Sequence, residues 1–165
     1  MTKLTLYFPI AFLTILVALI YLPSCTTDKC EGMMCYYGGT CDKGKCKCPP
    51  NTSGTNCEIG DNKKFEASYT GFDDCDVDIQ GVQVTAPTAD PTAIIIKYIG
   101  TNNEQPQLSA TISGNSISIP TRMLSLNGLI QTYSGTGSLN NGTLTIYLTV
   151  SDNGNPVECT FVGNK

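Results

Sequence analysis

Alternation of apolar and polar side chains, with a period of two, predicts β-strands in the C-terminal part of the chain. Residues 143–150 place four aliphatic side chains on one face and mainly threonines on the other. Residues 74–80 place Cys75, Val77 and Ile79 on one face and polar side chains on the other. Residues 93–99 are apolar apart from one lysine, which predicts a strand buried on both faces.

Turn-forming residues separate these predicted strands. The pairs Gly114-Asn115 and Asn141-Gly142 stand between short apolar runs, and Asn-Gly is a strong signal for a two-residue hairpin. We count about seven or eight strands, joined mostly by hairpins. Consecutive hairpins favour a mainly β fold, either an antiparallel β-barrel or a two-layer β-sandwich. An immunoglobulin fold is less expected, because the chain has no Trp to pack against a bridge.

The N-terminal segment has the pattern of an export signal. Lys3 precedes an apolar stretch over residues 4–22. This stretch is barely long enough to cross a membrane as a helix, which needs about 20 apolar residues. An ordinary cleaved signal peptide and an uncleaved membrane anchor are therefore both alternatives at this point.

The apolar stretch leads into the sequence Leu-Pro-Ser-Cys at residues 22–25, which resembles the lipobox of bacterial lipoproteins. The leucine and the serine match the family pattern, whereas the proline departs from it. The resemblance implies a signal peptide over residues 1–24, cleavage before Cys25 and acylation of that cysteine. Residues 25–29 would then form a lipidated tether, which several acyl chains hold stably in a membrane.

Six of the nine cysteines lie within residues 30–57, a segment too short to enclose a hydrophobic core. A covalent framework must therefore hold this segment together, and an exported location permits disulfides. Spacing alone leaves the pairing open. The sequence Gly-Gly-Thr-Cys at residues 38–41 and the pattern Cys-x-Cys-x5-Gly-x2-Cys at residues 46–57 resemble the EGF-like family. The resemblance assigns residues 30–58 to one EGF-like module.

The same resemblance implies a disulfide pairing. The implied bridges are Cys30–Cys41, Cys35–Cys46 and Cys48–Cys57. Zinc is the alternative for clustered cysteines, but no pair here has the Cys-x2-Cys spacing that is typical of a zinc site. The short loop at residues 42–45 and the sequence before the first cysteine lack the features of calcium-binding members, so no calcium site is expected in this module.

Two further cysteines, Cys75 and Cys159, lie near the two ends of the β-domain over residues 64–165, which follows a polar linker at residues 59–63. We predict that they form a fourth bridge. Pairing eight of the nine cysteines leaves only Cys25. An odd cysteine in an exported protein needs an explanation, and lipidation supplies one.

Composition excludes several functions. The formal net charge is -4 and no basic patch is visible, so nucleic acid is not an expected partner. The chain has no His, which removes Ser-His and Cys-His nucleophile pairs and His-ligated zinc. We therefore predict no enzymatic activity, no cofactor and no metal. The acidic run at residues 73–78 would suit calcium, but Asp74, Asp76 and Asp78 are interpreted as solvent-facing side chains of a strand.

Aromatic side chains often contact glycans or proteins, so the candidate binding residues are six tyrosines: Tyr36, Tyr37, Tyr69, Tyr98, Tyr133 and Tyr147. Tyrosines on strands more often complete the rim of a core. Tyr36 and Tyr37 are the best placed of the six, because the small module can bury little. The pattern predicts a lipid-anchored interaction or adhesion protein of the cell envelope, attached to the outer membrane on its periplasmic or surface face. In this hypothesis the EGF-like module is a spacer and the β-domain binds an unknown protein or glycan.

The alternative hypothesis is a carrier. The β-domain is similar to the small lipocalin-like domains of envelope lipoproteins, and this resemblance implies an apolar ligand inside a barrel. About 100 residues is short for eight strands around a roomy cavity. The shape of the interior therefore separates the two hypotheses.

Replacement of Cys25 by Ser tests the anchor. We expect Cys25→Ser to abolish acylation, because the hydroxyl cannot carry the thioether-linked lipid. Each buried methylene of such a lipid contributes about 0.8 kcal/mol to membrane binding. Intact-mass analysis checks the loss of acyl mass, and Thr26→Ser is the control that should keep it. Wild-type protein with no acyl mass would contradict the prediction.

Overall fold

The computed structural model describes residues 28–76, 79–100, 105–126, 128–152 and 154–165. The predicted signal peptide and the predicted lipidation site, Cys25, lie outside these residues. Among the residues described, no helix has the length and apolar character that crossing a bilayer requires.

The N-terminal unit is a cysteine-rich module with very little regular structure. It contains two small antiparallel pairs of strands: β1 (Thr40–Asp42) with β2 (Lys45–Lys47), and β3 (Thr52–Ser53) with β4 (Ile59–Gly60). Three disulfides connect it: Cys30–Cys41, Cys35–Cys46 and Cys48–Cys57. These are the pairs that the family resemblance implies. Cys57 is the one buried apolar side chain among residues 28–58, so covalent bonds rather than a core hold the module together.

The C-terminal unit is a closed antiparallel barrel of eight strands. Each strand pairs with the next along the chain, and the last strand pairs with the first. Strands account for 63% of the described residues, which confirms the mainly β prediction and selects the barrel over the sandwich. The strands are β5 (Ala67–Asp73), β6 (Ile79–Thr85), β7 (Ala93–Gly100), β8 (Gln107–Ser113), β9 (Ser116–Leu126), β10 (Leu129–Asn140), β11 (Thr143–Asp152) and β12 (Asn155–Asn164).

One face of each strand fills the interior. In β11 the alternation places Leu144, Ile146 and Leu148 in the core, as predicted. The prediction of burial on both faces is wrong for β7, because Ile96 is buried whereas Ile99 is 42% exposed. A barrel is a single sheet closed on itself, so no second layer covers its outer face.

The strand predicted over residues 74–80 is also wrong. Strand β5 ends at Asp73 and β6 begins at Ile79, so residues 74–76 belong to the connection between them. The carboxylate of Asp73 accepts hydrogen bonds from backbone N–H groups in this connection. Such local bonds offer the backbone an alternative to a sheet ladder, and they end the strand. Residues 77 and 78 lie outside the described part of the chain.

One end of the barrel is closed by a short 3-10 helix, Asp61–Phe65. The predicted linker at residues 59–63 is therefore regular structure: it contains β4 and the start of this helix. Phe65 is fully buried, and its carbonyl accepts a hydrogen bond from the hydroxyl of Tyr69 at 2.9 Å. The helix thus caps the interior from the side on which the cysteine-rich module joins the barrel.

Asn62 fixes this cap. It is fully buried, and its Nδ2 lies 2.8 Å from the carbonyl oxygen of Ala93, 2.9 Å from that of Asp90 and 3.0 Å from that of Pro87. Its Oδ1 has no hydrogen-bond partner among the described residues, so the hydrogen bonds of this side chain all come from Nδ2. One side chain therefore ties the 3-10 helix to the connection between β6 and β7.

Removal of this amide should destabilise the barrel. We expect Asn62→Ala to lower the free energy of unfolding by about 2–3 kcal/mol, because buried carbonyl groups lose their donor. Urea denaturation monitored by circular dichroism measures the change. The control is Asn140→Ala, since Asn140 is exposed and its Nδ2 bonds only to the hydroxyl of Ser138 among the described residues. Equal effects of the two substitutions would contradict the prediction.

Candidate ligand-binding site

The end of the barrel opposite the 3-10 helix contains a cavity of about 400 Å³. Slightly more than half of its wall is apolar, with contributions from Ile79, Leu126, Leu148 and Val150. These side chains come from β6, β9 and β11, at the strand ends farthest from the capping helix. The cavity therefore occupies one mouth of the barrel, while the core fills the rest of the interior.

The strand lengths account for the open mouth. Residues 111–113 of β8 pair with residues 116–118 of β9, next to the turn that joins these strands. Beyond that point β9 continues along β10 as far as Leu126, without further pairing to β8. The two strands therefore diverge toward the mouth.

Tyr98 lies among the side chains that line the cavity. It is 3% exposed, and its ring packs edge-on against the ring of Phe161, with 6.1 Å between the centroids. Its hydroxyl has no hydrogen-bond partner among the described residues. Burial raises the pKa of Tyr98 far above its ordinary value, and the negative charge of Asp73 adds to this shift. A buried hydroxyl without a partner costs about 1–3 kcal/mol, so the hydroxyl of Tyr98 is available to a ligand or a water molecule in the cavity.

Asp73 is the second polar group of the lining, and it is 4% exposed. Its Oδ1 accepts hydrogen bonds from the backbone N–H of Cys75 at 3.0 Å and of Asp76 at 3.2 Å. Burial raises the pKa of Asp73, and the charges of Asp74 and Asp76 act in the same direction. The two N–H donors lower the pKa but do not cancel the effect of burial. The mouth therefore holds a carboxyl group whose ionised form is poorly solvated.

The disulfide Cys75–Cys159 holds the connection after β5 against β12, and both cysteines line the cavity. The backbone N–H of Asp74 donates to the carbonyl of Thr160 at 3.1 Å, and the carboxylate of Asp74 accepts from the N–H of Thr160. This bridge is the fourth one that cysteine parity predicts. Asp74 therefore does not simply point to water, as the strand interpretation of the acidic run expects.

A metal interpretation gains little from this cluster. One ligand atom each of Asp73, Cys75 and Cys159 lies within 4.8 Å of the others. The two sulfur atoms are bonded to each other, however, so they are not thiolate ligands. The cluster then offers a single carboxylate, which does not form a cation site.

Tyr133 and Gln131 also belong to the polar part of the wall, as do Asp76 and Gln105. The hydroxyl of Tyr133 donates to Oε1 of Gln131 at 2.6 Å, and burial raises the pKa of Tyr133. Both side chains line the cavity. Because Tyr133 already has a partner, Tyr98 is the tyrosine of this mouth that is left to bind a further group.

The tyrosines predicted from sequence as binding residues lie elsewhere. Tyr36 is 49% exposed and borders a shallow depression on the cysteine-rich module together with Met33 and Met34. Tyr37 is half-buried, has a φ of 50° and is not part of that depression. Neither tyrosine lines the barrel cavity. Tyr36 and Tyr37 also do not share one depression on the module, because only Tyr36 borders it.

The sequence does not single out Asp73 or Tyr98 as site residues, although Tyr98 is one of the six candidate tyrosines and Asp73 belongs to the acidic run. Tyr98 follows Ile94 and Ile96 in the inward register of β7, so the period-two pattern was a usable signal for its direction. Asp73 had no such signal, because its inward position depends on where β5 ends. Membership of an acidic run made solvent exposure the natural prediction.

The chain matches no protein-family model, and it has no significant match among curated proteins or among solved structures. The geometry of the chain itself therefore carries the functional argument.

The raised pKa of Asp73 gives a pH-dependent prediction. Burial penalises the carboxylate in the folded state, so Asp73 stabilises the fold when it is protonated and this contribution is lost as pH rises through the folded-state pKa. Asn at this position keeps an oxygen acceptor for both N–H donors and carries no charge. We therefore expect Asp73→Asn to be more stable than the wild type at neutral pH.

The stability difference should shrink as the pH falls below the ordinary Asp pKa of about 3.9. Urea midpoints measured across this pH range test the expectation. Glu158→Gln is the control, because the side chain of Glu158 is exposed on the neighbouring strand. A stability difference for Asp73→Asn that does not vary with pH would refute the explanation.

Proposed function

We propose that this chain is an exported envelope lipoprotein whose barrel binds a small, mostly apolar molecule without catalysing a reaction. The cavity at the barrel mouth is the observation that carries the proposal. Its volume of about 400 Å³ falls within the roughly 300–1,000 Å³ that is usual for small-molecule sites. A mainly apolar wall with a few buried polar groups is also typical of such sites.

The cavity favours the carrier hypothesis over a purely adhesive β-domain. A barrel of this size has room for a ligand because its mouth widens where β8 and β9 diverge. An adhesion domain would need an exposed surface, whereas this site is a concave cavity at the barrel mouth. Each Å² of apolar surface that a ligand buries in the mouth would contribute about 25 cal/mol to the free energy of binding.

The EGF-like module fits the role of a spacer. It joins the barrel at the capped end through a short segment that is held by backbone hydrogen bonds. The N–H of Asp61 donates to the carbonyl oxygen of Asn51, and the N–H of Asn62 donates to that of Pro91, each at 2.9 Å. The proposed anchor, Cys25, precedes the module. An anchor on that side would leave the mouth directed away from the membrane, where a ligand can enter.

A second candidate function is contact with a protein or glycan through the module itself. Met34 is 68% exposed and Tyr36 is 49% exposed beside the same shallow depression. Exposed Met and Tyr side chains are common in protein interfaces. This surface supports a partner for the module that is independent of the ligand in the barrel.

Obstruction of the mouth tests the proposed function. We expect Val150→Trp to weaken binding of the neutral fluorophore Nile red at least about tenfold, because the indole would occupy the space between the walls. The matched control is Val162→Trp, which adds the same side chain at a 45% exposed position on the outer face of β12. Both variants carry the same acyl anchor, so nonspecific uptake of the dye is equal. Unchanged binding by folded Val150→Trp would refute the proposal.

A further inference from the structure

The cavity carries charge of one sign. The charged side chains in its described lining are Asp73 and Asp76, and no Lys or Arg is among them. Asp73 is 4% exposed, so water does little to screen its charge. A ligand carboxylate in this mouth would face a like charge, whereas a ligand cation would face an opposite one.

The hydrogen-bonding capacity of the lining is incomplete. Only Oδ1 of Asp73 accepts hydrogen bonds from described residues, and the donors are two backbone N–H groups. The hydroxyl of Tyr98 is buried and has no partner among those residues. These two side chains enter the same cavity from β5 and β7, which lie on either side of β6. The hydroxyl oxygen of Tyr98 and the carboxylate of Asp73 can both accept further hydrogen bonds. Together they suit a ligand group that has several hydrogen-bond donors.

We propose, on the basis of the proposed function, that the cavity selects an amphipathic molecule whose polar end is an amine, held by Asp73 and Tyr98, and that it rejects carboxylates such as fatty acids. An ammonium group has three donors and no acceptor. It can donate to the carboxylate of Asp73 and to the hydroxyl oxygen of Tyr98, while the carbon skeleton contacts Leu126, Leu148 and Val150. The raised pKa of Asp73 agrees with this arrangement, because a bound cation would favour the carboxylate that burial penalises.

A set of three matched probes tests the selection. Cyclohexylmethylamine, cyclohexylmethanol and cyclohexanecarboxylate share one carbon skeleton and differ in the charge of the polar end. Binding to the full mature chain is measured by calorimetry at neutral pH. We expect the amine to bind best, the alcohol next and the carboxylate least. The dissociation constants of the amine and the carboxylate should differ about tenfold or more, because a hydrogen bond to a charged group contributes that much to affinity.

Two substitutions assign this preference to named groups. Asp73→Asn should weaken amine binding about tenfold and leave alcohol binding nearly unchanged, because the amide keeps the shape and removes the charge. Tyr98→Phe should weaken both the amine and the alcohol by a similar, smaller factor of about threefold to tenfold. Tyr98→Phe also removes an unpartnered buried hydroxyl, so it should fold at least as well as the wild type.

The outcomes separate the inference from the proposed function. An alcohol that binds in the wild type but not in Val150→Trp, with no preference for the amine, overturns the amine selection and keeps the ligand-binding barrel. A carboxylate that binds as tightly as the amine has the same meaning. Failure of all three probes and of Nile red overturns both proposals. Amine preference that survives in folded Asp73→Asn overturns the role of Asp73.

Discussion

Closure of the sheet between β12 and β5 is the constraint on which the rest of the structure depends. Residues 161–164 pair with residues 70–73, so the seam is short compared with the ladder between β11 and β12. Gly71 makes the close approach possible, since a Cβ there would lie 2.4 Å from the Cα of Gly163. The disulfide Cys75–Cys159 reinforces the seam just beyond its last pair. Without this closure, β5 and β12 would be open edges and the interior would lose its wall.

The two ends of the closed barrel are built differently, and their difference defines the site. Asn62 and Phe65 seal one end with buried hydrogen bonds and an aromatic ring. The other end is widened by strand divergence, and core side chains such as Leu148 and Tyr98 line it together with Asp73. Asp73 and Tyr98 keep hydrogen-bonding capacity that the described residues do not use. Oδ1 of Asn62 also lacks a partner at the sealed end, so the combination of an open shape with unused polar groups is what defines the mouth.

Sequence predicted the parts of the fold that depend on local pattern. Leu144, Ile146 and Leu148 were assigned to the core because a strand with one covered face alternates, and the turn at Asn141-Gly142 set the hairpin that precedes them. The mainly β class and the count of strands followed from the same pattern. Parity of the cysteines pointed to the bridge across the barrel, since eight of nine could be paired.

The rest depended on three-dimensional context. Burial of residues 93–99 on both faces was a reasonable prediction for a layered fold, and it failed because a single closed sheet has an uncovered outer side. The inward turn of Asp73 requires the local bonds to Cys75 and Asp76, which no periodicity encodes. The cavity itself arises because β8 and β9 pair over only three positions. Composition does not reveal how far two neighbouring strands stay paired.

The bridge between Cys75 and Cys159 has a consequence for the order in which the chain folds. Its two sulfurs are separated by 84 positions, and the strand that carries the second sulfur is the last of the barrel to be synthesised. The disulfide next to the first strand can form only after the last strand has been synthesised. Its formation is therefore a late and non-local step in folding. The bridges of the N-terminal module, each spanning no more than 11 positions, can form while the barrel is still incomplete. Oxidation of the long-range pair thus reports that the first and last strands of the barrel have both formed and come together.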